Sequence, residues 1–315
     1  LPSCLDGGTM SYSRVLDEQA STVTFWKSGR GLHFARGYFG KMGYEESSLR
    51  TVCQVSHIAA EIGESYYWAP NMCEMLVGVA PGFPDWTMHE DLAPSAYGFC
   101  WFATPLRMPA SLPDKTGKTI PQDIVAVSWS LISEHDGQTF LSMGPSVKVD
   151  SGEKLGLTFY SQIPGASGIW PLSWWHWTVG ETVSAAASSK GAATDARLLR
   201  MQYLGAAFSL MNQRIVTSHQ QRADRATRKR MPSSWKHEPL VRVMQLRRTE
   251  SQQVREPGSD PVEWSCQWVV RGHWRQQACG QDHSERRPVF VLPYVKGDPD
   301  KPLKTTAERV FAVVR

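Results

Sequence analysis

No Cys-x-x-Cys pair occurs among the six cysteines of this chain: Cys4, Cys53, Cys73, Cys100, Cys266 and Cys279. Six thiols in 315 residues are too sparse for a disulfide-stapled scaffold and lack the close pairs that open a zinc finger. Cys53, Cys100 and Cys266 sit among apolar neighbours, where a thiol acts as a small core residue. The reading is a reducing, cytoplasmic setting. No apolar run approaches the ~20 residues of a membrane-spanning helix, so no membrane partner is expected. The start, Leu1 to Gly8, has neither the basic stretch nor the apolar core of a secretory signal. It also lacks an initiator methionine, so residues 1–9 read as a leader ahead of Met10, or the chain reads as a fragment. Missing too are G-x-S-x-G, a Walker loop, and G-x-G-x-x-G after a strand. Gly29-Arg30-Gly31 lacks the third glycine. With 41% hydrophobic and 20% charged residues, the chain is neither disordered, collagenous nor a coiled coil.

What is present is an uneven charge. Residues 1–196 carry 12 Lys/Arg against 19 Asp/Glu, and residues 249–315 carry 10 against 9. Residues 197–248 carry 12 against 2. One short segment therefore holds most of the positive charge, which bears on partners more than the overall net charge of +4 does.

The chain reads as α+β: a helical N-terminal region, antiparallel sheet, a long amphipathic helix with a basic extension, and a C-terminal antiparallel β module. Residues 1–96 are mainly helical. Val52, Val55, Ile58, Ala59 and Ile62 recur at spacings of three and four, and a second helix over Asn71 to Val79 ends at Pro81-Gly82. Residues 97–183 are β-rich, with strands expected at Gly98 to Pro105, Ile124 to Ser133, Leu155 to Gln162 and Leu172 to Val179. Glu134-His135-Asp136 before Gly137 reads as a hairpin turn. Residues 184–232 are a linker plus helices: Ser184 to Thr194 is low-complexity loop, and Met201, Leu204, Phe208, Met211 and Ile215 step as one helix. That helix is expected to run on into Arg222–Arg230 and stop at Pro232. Residues 233–315 form the C-terminal β module, with strands at Leu240 to Arg248, Val262 to Arg275, Arg287 to Val295 and Arg309 to Val314. Whether this module is separate or continuous with 97–183 stays open.

In the strand over 262–275, Trp264, Cys266, Trp268, Val270, Gly272 and Trp274 alternate with Gln267, Arg271, His273 and Arg275. Alternation gives one aromatic and one polar face. The run Trp268 to Gln277, with Gly272-His273-Trp274-Arg275-Gln276-Gln277 at its centre, then Arg287 and Pro293-Tyr294-Val295-Lys296-Gly297, resembles the C-terminal signature of an uncharacterised family of actinobacteria, their phages and plasmids. That family's pattern is similar to G-H-W-R-x-Q followed by P-Y-x-K-G-P. Trp68 to Glu74, Gly98 to Phe102 and Asp224 to Arg230 also look familial. The chain departs from the pattern at Asp298, and at Cys279 to His283, where Tyr-Gly or Tyr-Pro is common. The resemblance implies a bacterial or phage origin and a compact C-terminal module, and it brings no activity.

Four constellations carry chemistry. Arg222, Arg225, Arg228, Lys229 and Arg230 form a cationic run suited to phosphates. The bland reading is a solvated face, or one that pairs with the acidic N-terminal half or another acidic protein surface. On the 262–275 strand and after it, Arg271, His273, Arg275, Arg287 and Lys296 could contact a single strand, against a structural role for Gly272 and Trp274. Cys266, His273, Cys279 and His283 have ligand side chains at the wrong spacing for a finger, and His57-x-x-x-Glu61 lacks a zincin's second histidine. No metal or cofactor is expected. His176, among Trp174, Trp175 and Trp177, is a buried ring or a desolvated base. The leading expectation is a nucleic-acid-binding protein of a bacterial or mobile-element system. The alternatives are a metal-independent nuclease using His273 with Arg271 and Arg275, and a protein-interaction module.

Overall fold

The computed structural model describes residues 13–38, 40, 46–89, 91–113, 119–135, 138–141, 154–161, 169–188, 195–231, 235, 238–247, 265–296 and 301. The chain divides into two compact units, Leu1–Arg247 and Arg248–Arg315.

The first unit opens with helices α1 (Ser13–Lys27), α2 (Gly29–Tyr38) and α3 (Glu46–Ile62), followed by strand β1 (Glu64–Trp68) and α4 (Pro70–Val79). Strands β2 (Tyr97–Pro113), β3 (Thr119–His135), β4 (Gln138–Leu141), β5 (Lys154–Ser161) and β6 (Trp170–Thr178) come next. Then follow α5 (Val183–Ser188), α6 (Asp195–Met211), β7 (Val216–Arg222), α7 (Arg225–Arg230) and β8 (Leu240–Leu246). The sheet order is β6-β5-β3-β2-β1-β8-β7, with β4 added to β3. β1 runs parallel to both of its neighbours, β2 and β8. The sheet is therefore mixed, where the sequence led us to expect antiparallel pairing throughout.

Alternation along the strands supplies two apolar faces. Tyr67, Phe99, Trp101, Val241 and Val243 cluster with Val15 and Leu16 of α1. On the other face Trp68, Cys100, Phe102, Val127 and Phe159 meet Leu76 of α4 and Leu204, Ala207 and Phe208 of α6. Helices thus cover both sides of a sheet whose central strand is buried from Ser65 to Trp68.

The turn from α3 into β1 is fixed by a buried side chain on α1. Gln19 Nε2 donates to the carbonyls of Ala60, at 2.9 Å, and Gly63, at 3.0 Å. Its Oε1 accepts from Ser65 Oγ at 2.6 Å. These bonds satisfy carbonyls that the end of a helix leaves without partners. The same turn requires close backbone approach: a Cβ on Gly63 would stand 2.9 Å from the backbone of Gly98, and one on Gly98 would stand 2.1 Å from the Trp129 ring.

In several places the elements differ from the sequence expectation. The helix at 201–215 ends at Met211; the β-branched pair Val216-Thr217 opens β7, and only after that strand comes the short α7. α6 is not one-sided either, since Met201, Leu204, Ala206, Ala207, Phe208 and Leu210 are all buried. Five residues of the expected loop at 184–194 lie in α5, and 189–194 lie outside the described residues. The expected strand at 309–314 also lies outside them. The expected helix at 71–79 holds closely in α4, whereas Glu134 and His135, expected in a turn, lie in β3 paired with Thr139 and Gln138, and 136–137 lie outside the described residues.

In the second unit, β9 (Trp268–Val270) pairs with β12 (Tyr294–Lys296), and β10 (His273–Cys279) pairs with β11 (Glu285–Val291). The single strand expected over 262–275 is thus two strands interrupted at Arg271-Gly272, and 262–264 lie outside the described residues. Gly272 is needed there, because a Cβ would stand 2.7 Å from the Phe290 ring. Phe290 in turn packs edge-on against Trp274, with centroids 5.3 Å apart.

Gly98→Ala is expected to destabilise the first unit by about 1–3 kcal/mol, the usual effect of overpacking a filled core. A urea unfolding midpoint lowered at unchanged slope would show this, and an unchanged midpoint would contradict the packing described.

Candidate nucleic-acid interface

α7 forms where it does because Asp224 caps it. The Thr227 N–H donates to Asp224 Oδ1 at 2.8 Å, and Asp224 has the extended backbone usual at that position. The Asp224 N–H donates to Ser13 Oγ on α1 at 3.1 Å, while the preceding Ala223 is buried with Val15 and Leu16. Hydrogen bonds from Ser13 and the Thr227 N–H hold the Asp224 carboxyl down at about 2. One helical turn is too short to stand alone; this one is pinned to α1 at both ends. At its far end Arg230 reaches Asp17 of α1 through Nη2 at 2.7 Å and Nε at 3.2 Å, and also donates to Thr227 Oγ1 at 3.0 Å.

This anchoring sorts the five expected cations. Arg230 is committed to Asp17, realising the bland reading of a cation paired with the acidic N-terminal half. Arg225, Arg228 and Lys229, at i, i+3 and i+4, share the opposite side of the turn and are exposed. Arg222 is exposed at the end of β7, an edge strand of the sheet whose residues from Ser218 onward are all exposed. Among the described residues no carboxylate pairs with Arg222, Arg225, Arg228 or Lys229. Arg225, Arg228 and Lys229 thus form a cationic face without carboxylate partners among the described residues, on a turn held by α1, and Arg222 is exposed at the end of the strand before it.

The second expected cluster lies in the other unit. On one face of the β10–β11 ladder, His273, Arg275 and Gln277 face Val291, Val289 and Arg287. His273 is exposed, and its Nδ1 lies 3.0 Å from the Arg271 carbonyl. A carbonyl only accepts, so Nδ1 carries the proton and Nε2 is left as an acceptor. Arg275 donates to Gln277 Oε1, and Arg287 lies 3.8 Å from Glu285. Lys296 is on β12, opposite Trp268, and Arg271 is in the interruption between β9 and β10. The ladder thus brings His273, Arg275 and Arg287 onto one face, while Arg271 and Lys296 belong to other segments.

Among the described residues no group of three or more His, Cys, Asp and Glu side chains could hold a metal ion. Burial pushes the Cys53 and Cys73 thiols up to about 11, which suppresses the nucleophilic thiolate. His57 Nε2 lies 3.0 Å from Glu61, which also pairs with Lys27 of α1; burial holds His57 below its usual range despite Glu61. His176 lies on β6, opposite Gly156. No helix among the described residues is long and apolar enough to cross a membrane.

Sequence reasoning missed a polar cleft beside β7, about 140 Å³ in volume and lined by Tyr66, Asn212, Ser218 and Arg242. Its residues are scattered along the chain, so no local motif announces it.

The Asp224 carboxyl, lowered in the folded protein from 3.8 to about 2, contributes stability above the unfolded value and loses it as pH falls towards the folded one. Asp224→Asn keeps a capping side chain that does not titrate. Melting temperatures measured from pH 5 to pH 2 are therefore expected to fall less steeply for the variant, and parallel curves would contradict the capping role. Searches against known protein families, curated proteins and solved structures find no match for this chain.

Proposed function

We propose that this protein binds nucleic acid, gripping the phosphate backbone with the ridge formed by Arg222, Arg225, Arg228 and Lys229. The resemblance of its C-terminal motif is what suggests a bacterial or mobile-element system for that binding. The observation that carries the reading is a set of three exposed cations, Arg225, Arg228 and Lys229, on a turn that α1 holds in place, with Arg222 exposed just before it and no carboxylate partner for any of the four among the described residues. Uncompensated, rigidly mounted cations release condensed counterions when they meet a polyphosphate, and that release dominates non-specific affinity. A merely solvated basic face needs no such anchoring to α1. The β10–β11 face, with His273, Arg275 and Arg287, supports a secondary contact. Cleavage at His273 is the second reading, favoured by the Nε2 acceptor that the Arg271 carbonyl leaves available.

The test is fluorescence anisotropy of labelled single- and double-stranded DNA and RNA over a range of salt. Affinity is expected to fall steeply with salt. Replacing Arg225, Arg228 and Lys229 together by Glu should weaken binding on all sequences and lower the slope of log K against log salt by about 3, about one for each lost phosphate contact. A probe that shortens with time, and stops doing so in His273→Ala, would favour the nuclease. A flat trace on all four probes, with a lower melting temperature in the triple variant, would overturn both and leave the segment as a protein-facing surface.

A further inference from the structure

β7 closes one end of the sheet, and among the described residues no strand pairs with its outer side. Just beyond its two ends, the Ala223 N–H donates to the Pro239 carbonyl at 2.9 Å and the Arg247 N–H to the Ile215 carbonyl at 2.8 Å. Hydrogen-bonded pairs alternate along an antiparallel ladder, so in the register of β7 with β8 they fall at Thr217, His219 and Gln221. Ser218, Gln220 and Arg222 therefore turn their N–H and C=O groups away from β8. Side chains from Ser218 to Arg222 alternate between the two faces, and all of these residues are exposed. Among the described residues, then, no element overhangs this edge on either face.

An open edge invites pairing with another chain, and proteins guard against it with proline, charge or a break in register. The strand at the other end of the sheet, β6, carries Pro171 and a register shift against β5. β7 has none of these devices. Its register with β8 is unbroken from Val216 to Arg222, and it holds no proline and no Lys, Arg, Asp or Glu before Arg222.

We propose that β7 pairs antiparallel with β7 of a second copy of this chain, about a two-fold axis at Gln220. In that register Gln220 faces Gln220, Ser218 faces Arg222 and Arg222 faces Ser218, and each pair exchanges two hydrogen bonds. Every outward N–H and C=O of Ser218, Gln220 and Arg222 on both edges is thereby used. The side chains agree with it: a carboxamide both donates and accepts, so it complements itself, and each Arg222 meets a hydroxyl rather than a second cation. Centring the axis on His219 instead sets Arg222 against Val216, whose N–H already donates to the Gln213 carbonyl at 3.0 Å. The contact is isologous, the commonest form among homo-oligomers.

Such a pair has no apolar anchor, because Ser218 to Arg222 are all polar, and small polar interfaces make weak, transient complexes. A nucleic acid touching both copies raises their effective concentration and closes the pair on itself. The axis stands perpendicular to the sheet, so each face continues into the same face of the copy. Both α7 turns, held by α1, lie on one side. From Gln220 to Arg225 is about 16 Å of extended chain, which sets the two cationic turns on the order of 30 Å apart. One turn of a DNA duplex is about 34 Å. The pairing stands on the edge alone; its service to a shared polyphosphate rests on the phosphate-gripping reading.

Sedimentation velocity of the full chain at ~0.15 M salt, from ~1 μM to ~1 mM, reads the pairing directly. A monomer passing reversibly into a dimer is expected, and a single monomeric species throughout overturns the proposal. Gln220→Pro removes the N–H at the two-fold axis but no bond to β8, a place where an edge strand tolerates proline. It should weaken the dimer at least about tenfold, the loss of both central bonds, at an unchanged melting temperature; a dimer of unchanged affinity overturns the proposal. Gln220→Lys and Gln220→Glu each set like charges opposite one another, so either alone should pair more weakly than their equimolar mixture. A mixture that pairs no better than its parts overturns the register and the proposal with it. Single-stranded and duplex DNA of about 24 positions, roughly two duplex turns, are then titrated by anisotropy. Wild type should bind cooperatively and Gln220→Pro without cooperativity. Dimerisation with no affinity for either probe upholds the pairing and overturns the phosphate reading. Equal, non-cooperative binding by both proteins, with no dimer, overturns the pairing and leaves the phosphate reading standing.

Discussion

The carboxamide of Gln19 is the junction on which the first unit depends. Fully buried on α1, it bonds the end of α3 through Ala60 and Gly63 and the start of β1 through Ser65. An apolar residue at that position would strand two carbonyls and a hydroxyl in the interior, each unfavourable by about 1–3 kcal/mol. The bonds fix where β1 enters the sheet, and β1 is the strand to which β2 and β8 are both added in parallel. Gly63, Gly98 and Trp129 fill the space beside that entry so tightly that a methyl group has no room.

From this junction a line of physical cause runs to the surface. Val15, Leu16 and Gln19 bury one stripe of α1, which leaves Ser13 and Asp17 free to reach α7. Those two side chains hold a turn too short to persist alone, and the cations on its far side are thereby presented at fixed spacing. β8, aligned on β1, positions β7 as an edge strand with a wholly polar outer half. Arg222 and the polar cleft lie toward opposite ends of β7.

Much of the fold was legible in the chain. The β-branched and aromatic runs at 124–133 and 155–162 correspond to β3 and β5, and the three-and-four spacing of Val52 to Ile62 corresponds to α3. β1 was not legible because Ser65 to Trp68 is buried on both faces, so its pattern has no polar alternation to read. β7 escaped for the opposite reason: Ser218 to Arg222 is polar at every position, and an edge strand facing water needs no apolar face. The apolar spacing from Met201 to Met211 also runs on to Ile215 in sequence, masking the end of α6. The cationic run was legible, and Asp224 with Thr227 three residues on is a cap signal that was present but read as helix interior. Sequence could not show which cation Asp17 would take, since that pair spans 213 positions. Nor could it assemble the cleft, where Tyr66, Asn212, Ser218 and Arg242 meet only through strand order.

The measurement that tests the central claim most directly is photocrosslinking of the full chain to a bromouracil-substituted strand, with the adducts mapped by mass spectrometry. The account places adducts within residues 216–230. Adducts confined to 265–296, or none at a concentration where anisotropy reports binding, would contradict it.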